Sequence, residues 1–444
     1  MITPKQSQHP QFSWSSCISN CGDVARVPIT ELVPVITRCP ERAEIGYTRR
    51  PPNEGNRQMQ LAQRMSQLGT ETAFEVLARA EALRALGKDV INLGIGQPDF
   101  PTPPHIVEAG AKALKDGHHG YTPANGILPL REAVAADVLK YRQVEINPDN
   151  LVIMPGGKPT MFFSILMFGE PGAEIMYPNP GFPIYESVIR FSGATPVPIE
   201  LHESSGFSFS ADEVLGRITD RTRLIIVNTP ANPTGGIVSV EELDKFAKGL
   251  ERFPHVTVLS DEIYSRMLYD GNIHKSLLAY AALRDRLIVL DGWSKTYAMT
   301  GWRLGWSLWP DELAPLAAKL AVNDHSCVNA ATQWAGIAAL QGPQDTVDNM
   351  VRAFDERRQL IVGSLNALPG VSCVTPLGAF YAFPNITGTG RTAGELQDAM
   401  LNEAGVATVA GTSFGALGEG YVRFSYAASA TQIEEAMTRI ANIL

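Results

Sequence analysis

The sequence predicts an α/β protein, with a large domain on a mostly parallel, seven-stranded sheet and a smaller α+β domain. The chain has 444 residues, which is too long for one ordinary hydrophobic core and favours two domains. Between residues 151 and 306, seven short apolar segments alternate with helical stretches. Continuous apolar strands separated by helices are typical of a parallel sheet that is covered on both faces. From about residue 340 this alternation ends, which indicates a separate domain.

The elements can be assigned in chain order from these patterns. A helix ends near residue 87, and a short strand follows at residues 90–93. The seven strands of the large domain are predicted at residues 151–153, 174–176, 195–197, 224–227, 256–259, 287–290 and 303–306. Then come helices at 347–365 and 393–404, strands at 371–373, 379–382 and 421–425, and a terminal helix. We therefore assign residues 104–340 to the large domain, and residues 59–103 together with 341–444 to the small one.

Composition excludes several classes of protein. The net charge is −9 and there is no long basic run, which argues against binding to nucleic acid or to an anionic membrane surface. No apolar run approaches the roughly 18 residues that span a bilayer. The five cysteines do not resemble a disulfide framework, so a reducing cytoplasm is expected. Cys17 and Cys21 have a spacing that would suit a metal site, but no further ligands complete it, so we predict no metal.

The first 58 residues differ from the rest of the chain. They contain seven prolines, and neither a helical nor a strand period persists in them. We expect a disordered N-terminal extension, or a start that has been assigned upstream of Met59. A transit peptide is a weaker alternative, since the segment before Asp23 lacks acidic residues but also has almost no basic ones.

Four groups of polar or charged residues that could bind a ligand follow the predicted strands of the large domain. They are Asn232 to Gly235, Asp261 to Tyr264, Lys295, and Arg303 eight positions later. Each group alone has an ordinary explanation, as a turn, a helix cap or a solvated surface charge. All four occur in order, however, and ligands of such sheets bind at the carboxyl ends of the strands. The sequence therefore predicts one site at that edge.

With these residues, the chain resembles fold-type I enzymes that depend on pyridoxal 5′-phosphate, specifically the class I/II aminotransferases. It is similar to bacterial aspartate, aromatic and alanine aminotransferases. The resemblance extends from about residue 65 to the end. It is carried by Gly96–Phe100, Tyr121 with Gly126–Arg131, Pro155–Lys158, Asn232–Gly235, Asp261–Tyr264, Ser294–Lys295 with Arg303, and Arg423.

The resemblance implies a role for each residue around the cofactor ring. Lys295 would hold the cofactor aldehyde as a Schiff base and act as the general base. Asp261 would pair with the pyridine nitrogen and keep it protonated, since a carboxylate beside it raises the pKa of that nitrogen. Asn232 and Tyr264 would donate to the 3′-oxygen, and Phe182 would stack on the ring.

The resemblance also implies contacts to the phosphate and the substrate. Gly157, Lys158 and Arg303 match the phosphate-binding positions, where backbone N–H groups at a helix start and a cation are needed. Tyr121 matches a tyrosine that reaches the phosphate from the neighbouring subunit, which implies a homodimer with shared active sites. For the substrate's α-carboxylate, the matching residues are Arg423, with Asn232 beside it, and the backbone near Gly96.

Two departures from the family pattern concern the same contacts. Many relatives have a serine that binds phosphate where this chain has Gly292, and many have Pro-Gly where it has Ala410-Gly411. The first departure weakens one phosphate contact, and the second puts the loop near the substrate carboxylate in doubt.

We therefore expect an aminotransferase that moves the amino group of an L-amino acid to a 2-oxo acid through Lys295. Two alternatives stay open: a lyase or elimination enzyme on the same fold, and an aminotransferase-like transcription regulator. The amino donor is not identified. The Lys158 side chain either binds the distal carboxylate of a dicarboxylic substrate or is solvated, and Glu71 could repel such a carboxylate. Broad specificity is expected, with 2-oxoglutarate a competent acceptor and aspartate only one of several donors.

Overall fold

A computed structural model describes residues 59–444 of the chain. The predicted extension at residues 1–58, with Cys17 and Cys21, lies outside the described residues. Within 59–444, no helix is both long enough and apolar enough to span a membrane. The same part of the chain contains no group of three or more His, Cys, Asp or Glu side chains suited to hold a metal ion.

The described residues form strands and helices in alternation. The strands are β1 (Ile91–Asn92), β2 (Leu151–Met154), β3 (Glu174–Asn179), β4 (Thr195–Glu200), β5 (Thr222–Asn228), β6 (Thr257–Asp261), β7 (Leu287–Gly292), β8 (Gly305–Leu308), β9 (Tyr381–Ala382), β10 (Val406–Ala407), β11 (Val409–Ala410) and β12 (Val422–Ser425). The helices are α1 (Thr72–Ala85), α2 (Pro104–Lys115), α3 (Leu128–Arg142), α4 (Lys158–Phe168), α5 (Ile184–Ser192), α6 (Ala211–Gly216), α7 (Val240–Leu250), α8 (Trp293–Thr296), α9 (Ala314–Asp324), α10 (Ala330–Gln341), α11 (Asp345–Asn366), α12 (Ala393–Asn402) and α13 (Ala430–Ala441).

The seven-stranded sheet has the order β2-β8-β7-β6-β5-β3-β4. Strands β7, β6, β5, β3 and β4 are parallel, whereas β8 is antiparallel to both of its neighbours. The prediction of a mostly parallel sheet with seven strands is confirmed. Because β8 runs in the opposite direction, it begins at the edge where the other strands end.

Both faces of this sheet are buried. In β5, Ile225 and Val227 belong to one hydrophobic cluster, whereas Leu224 and Ile226 belong to another. This alternation follows from the two-residue period of a strand, and helices cover each face. Helices α3, α7 and α10 contribute to the first cluster, and α4, α5 and α9 contribute to the second. Both sets of helices fix the sheet, so the strand ends are held in place.

A smaller α+β region contains two further sheets. One is antiparallel with the strand order β11-β12-β9, and the other consists of β1 paired with β10. Helices α11, α12 and α13 cover it, with a common core that includes Phe354, Phe424 and Ile433. Helices α12 and α13 both begin with a capping box, at Thr392 and Ser429. The predicted smaller α+β domain is confirmed. The boundaries between the two domains, at residues 104 and 340, stay predictions.

Three local predictions were wrong. Residues 371–373 form no strand, because the Asn366 side chain binds the backbone N–H of Cys373 and leaves only an isolated bridge at Ser372. The strand predicted at residue 379 begins at Tyr381, since Ala379 has a positive φ of 56°. Arg303 also has a positive φ of 56°, so β8 begins two residues after it.

Candidate active site

A cavity of about 460 Å³ lies at the edge of the seven-stranded sheet where β5, β6 and β7 end. Its size is typical of pockets for small ligands. Ten of the eleven residues that the sequence singles out line it: Gly96, Gly157, Lys158, Phe182, Asn232, Asp261, Tyr264, Lys295, Arg303 and Arg423. The structure therefore brings together residues that are more than 300 positions apart in the chain.

Lys295 follows β7 in the single turn of α8, and its amine donates a hydrogen bond to the carbonyl oxygen of Gly96. Burial, together with the nearby charges of Arg423 and Arg303, lowers the pKa of the amine to about 8. A lysine with an ordinary pKa is almost entirely protonated near neutral pH, and a protonated amine is not a nucleophile. This lysine is therefore suited to react with a carbonyl group.

Asp261 is the last residue of β6 and is 2% exposed. Its carboxylate accepts hydrogen bonds from the Tyr185 hydroxyl at 2.5 Å and from the Ile263 N–H at 3.2 Å. Burial raises the pKa of Asp261 to about 7, although both hydrogen bonds act to lower it. A buried carboxylate with no cation beside it is a binding site for a positively charged group of a ligand.

Arg423 lies on β12 and is 3% exposed. Its Nη1 donates to the Asn232 side-chain oxygen at 2.9 Å, and its Nη2 donates to the Gly94 carbonyl oxygen. The Tyr381 ring centroid is 4.6 Å from the guanidinium carbon. The Nε group of Arg423 is buried and has no hydrogen-bond partner among the described residues. Because an unpaired buried donor is costly, this guanidinium is arranged to receive an anionic ligand.

Two tyrosines were missed by the sequence analysis. Tyr185 binds Asp261, and the Tyr381 hydroxyl lies 2.8 Å from the hydroxyl of Tyr264. A Cβ atom at Gly96 would lie 2.2 Å from the Tyr381 hydroxyl, so residue 96 must be a glycine for the loop to lie here. Tyr185 is one helical turn after Phe182, and Tyr381 directly follows Phe380 in a predicted strand. Nothing in those short patterns distinguishes either one from a core aromatic residue.

Another part of the cavity is suited to bind phosphate. Gly157 and Lys158 lie at the N-terminus of α4 and line the cavity, and the first N–H groups of a helix have no partner within it. The Arg303 guanidinium packs on Gly156, where a Cβ atom would lie 2.3 Å from Nη2. Gly292 has no room for a larger residue either, since a Cβ atom there would lie 2.8 Å from the Cα of Gly305. A helix N-terminus and a guanidinium together attract an anion.

The Lys158 side chain does not extend freely into the cavity. Its amine forms an ion pair with the Glu71 carboxylate. The same amine lies 5.5 Å from the ring centroid of Phe74 and 5.8 Å from that of Phe182. Glu71, which was expected only to repel a substrate carboxylate, therefore contacts Lys158 directly.

Tyr121 is the one predicted residue that does not line the cavity. It is 92% exposed in the single chain described here. Its role was predicted for a neighbouring subunit, so the described chain does not test it, and it stays a prediction.

Comparison with known proteins adds independent information. Residues 88–440 match the family model described as "Aminotransferase class I and II". The chain is 36% identical to an aspartate aminotransferase of Geobacillus stearothermophilus, over 86% of this chain and 98% of the relative. It is 37% identical to aromatic-amino-acid aminotransferase 2 of Thermococcus litoralis, over 80% of this chain and 92% of the relative.

Solved structures agree with the sequence comparison. The aspartate aminotransferase of Rhizobium meliloti matches with a TM-score of 0.82 and 34% identity, over 87% of this chain and 99% of that one. Identity at this level across nearly the whole of each relative, together with the same fold, identifies the chain as a member of the class I and II aminotransferases.

Proposed function

We propose that the cavity binds pyridoxal 5′-phosphate and transfers the amino group of an L-amino acid to a 2-oxo acid. The observation that carries this proposal is that the Lys295 amine and the buried Asp261 carboxylate line one cavity. An amine is needed to hold an aldehyde, and an ionised carboxylate is needed to pair with a protonated pyridine nitrogen. The residues present therefore fit this cofactor.

When bound, the cofactor withdraws electrons from the substrate's Cα and stores the amino group between the two half-reactions. Asp261 would pair with the ring nitrogen, and Tyr185 orients Asp261 through the hydrogen bond at 2.5 Å. Asn232 and Tyr264 would donate to the ring oxygen, and Phe182 would stack on the ring.

The cofactor phosphate is assigned to the N-terminus of α4. The backbone N–H groups of Gly157 and Lys158 would donate to it, and Arg303 would supply the cation. Tyr121 of a second copy would complete this site, which makes the protein a homodimer with shared active sites. In support, the Tyr121 ring is 92% exposed in a single chain, which is unusual for an aromatic side chain without a partner.

Arg423 is assigned to the substrate's α-carboxylate, together with the backbone at Gly96. A carboxylate there would give the Nε group of Arg423 the acceptor that it lacks in the described chain. The amino group would then lie close to the Lys295 amine, which contacts the same Gly96 loop. The Lys295 Nζ atom would take the proton from the substrate's Cα and deliver it to the 4′-carbon of the cofactor.

We also propose that the protein is cytoplasmic and that its chain forms two domains. The few cysteines favour the reducing cytoplasm. Residues 104–340 would form the cofactor-binding domain, and residues 59–103 with 341–444 would form the smaller one. Neither elimination chemistry nor transcription regulation is favoured by any observation, since the relatives are named as aminotransferases.

A half-reaction tests this function. The purified holoenzyme is mixed with single L-amino acids, and the absorbance of the lysine-bound cofactor is followed. Transfer predicts complete conversion to the amine form, one equivalent of 2-oxo acid and reversal by an added 2-oxo acid. Release of ammonia without formation of the amine form would instead identify an elimination enzyme.

A further inference from the structure

The cavity contains two cationic side chains that could bind substrate carboxylates, and they differ in their partners. Arg423 has a buried Nε group without an acceptor, whereas the Lys158 amine already binds the Glu71 carboxylate. The Glu71 side chain is only 14% exposed and directly precedes α1. The positive charge of Lys158 is therefore balanced before any substrate enters.

Two aromatic rings lie beside this ion pair, and further apolar side chains line the cavity. Phe74 and Phe182 lie near the Lys158 amine, and Ile95 and Met161 line the same cavity. An uncharged substrate side chain could bury apolar surface against these residues without disturbing the ion pair, and such burial is favourable.

We propose that Glu71 is a specificity-determining residue that neutralises Lys158 and favours amino donors with uncharged apolar or aromatic side chains. The inference rests on the proposed function, in which Arg423 binds the α-carboxylate. The distal carboxylate of aspartate would approach Lys158 only by lying beside the Glu71 carboxylate or by displacing it. Like charges at such a distance repel, and displacement leaves the largely buried Glu71 without its partner.

The same repulsion acts on the oxo acids. 2-Oxoglutarate carries the same distal carboxylate as glutamate, so it remains a usable acceptor with a lower kcat/KM than a neutral oxo acid of similar size. We therefore expect kcat/KM to be lower for substrates with a charged side chain than for uncharged ones in both half-reactions.

Glu71→Gln is the direct test, because it removes the charge and preserves the size of the side chain. Half-reactions of the full-length holoenzyme are measured with L-aspartate and L-phenylalanine. In the wild type, kcat/KM should be higher for phenylalanine. In Glu71→Gln, the ratio of kcat/KM for aspartate to that for phenylalanine should rise about tenfold or more, because Lys158 is freed. Adding Lys158→Met to this variant should remove the gain.

Glu75→Gln is the matched control. Glu75 lies on the exposed side of α1 and does not line the cavity, so the ratio should remain that of the wild type. An unchanged or lower ratio in Glu71→Gln would overturn the inference. That outcome is distinct from failure of the proposed function, in which no amino acid converts the wild-type holoenzyme to the amine form.

A second measurement needs no variant. Binding of 3-phenylpropionate and of succinate to the wild-type holoenzyme is followed by the shift of the cofactor spectrum. The inference predicts that 3-phenylpropionate binds about tenfold more tightly or better, whereas tighter binding of succinate would contradict it.

Discussion

The residues assigned to the cofactor and those assigned to the substrate come from two differently built regions of the molecule. Asp261 and Lys295 lie at or just after the ends of adjacent parallel strands, β6 and β7. Arg423 lies on the antiparallel strand β12, and its partners come from the Gly94 loop and from Asn232. The first region is fixed by one sheet, whereas the second depends on contacts between segments far apart in the chain.

The two regions differ in how far their side chains are positioned before a ligand binds. Asp261 is set by its own strand, by Tyr185 and by the N–H of Ile263, so the position of its carboxylate is fixed without a ligand. In the substrate region, the Nε group of Arg423 lacks an acceptor among the described residues. We infer that the cofactor region is built for permanent occupancy and that the substrate region is completed by each carboxylate that binds.

Replacement of Lys295 by alanine should have the largest effect. It removes the covalent anchor and the general base together, so the rate should fall by more than about 10⁴-fold for every donor. The visible absorbance of the lysine-bound cofactor should also disappear. Lys319→Ala, at an exposed position on α9, is the control and should behave as the wild type. A reducible imine between protein and cofactor in Lys295→Ala would refute the assignment.

Arg423→Lys should damage the substrate region alone. A lysine keeps the charge but loses the planar guanidinium, and one or two charge-assisted hydrogen bonds of about 1.5–3 kcal/mol are affected. We expect kcat/KM to fall by about 10- to 100-fold for all donors, with an unchanged cofactor spectrum. A changed spectrum with normal kcat/KM would show that Arg423 belongs to the cofactor region instead.

Tyr185→Phe should have a smaller effect on the cofactor region. It removes the hydrogen bond that lowers the pKa of Asp261, so the carboxylate becomes harder to ionise. The loss of one hydrogen bond of about 0.5–1.5 kcal/mol predicts a decrease of roughly threefold to tenfold in kcat. The pH profile of kcat should shift to higher pH as well. An unshifted profile would mean that Tyr185 only fills space.

The smallest expected effect is on the pH dependence of the rate at which the apoenzyme binds the cofactor. Only the neutral amine reacts, and the pKa of Lys295 is lowered to about 8 by burial and by the charges of Arg423, Arg303 and Lys158, against that of Glu71. The rate of reconstitution should rise as pH increases to about 8 and then level off. A simple lysine derivative should show a rise that continues to about 10.4, its ordinary pKa. The same continued rise for the protein would contradict a lowered pKa.

The sequence grouped residues that line one cavity, and the reason is geometric. Residues that follow parallel strands reach the same edge of a sheet, so Asn232, Asp261 and Lys295 could be grouped from strand positions alone. Arg303 lines the same cavity for a different reason. It precedes the antiparallel β8, which begins at the edge where the others end.

Long-range side-chain contacts could not be predicted in this way. Tyr185 and Tyr381 were missed because each residue's role depends on the hydroxyl group of one particular neighbour, which no local pattern reports. The pairing of Glu71 with Lys158 crosses 87 positions, and only the possible repulsion of a substrate could be stated beforehand. The strand predicted at residues 371–373 does not form for a similar reason: the backbone N–H of Cys373 donates to the side chain of Asn366.

The central claim is that Lys295 carries the cofactor in a region completed by Asp261. The most direct test is to reduce the holoenzyme with borohydride, digest it and map the modified peptide by mass spectrometry. The account predicts one equivalent of pyridoxyl phosphate on the peptide that contains Lys295, and none when the enzyme is first fully converted to the amine form by a donor. Modification of another lysine, or of none, in the untreated holoenzyme would contradict it.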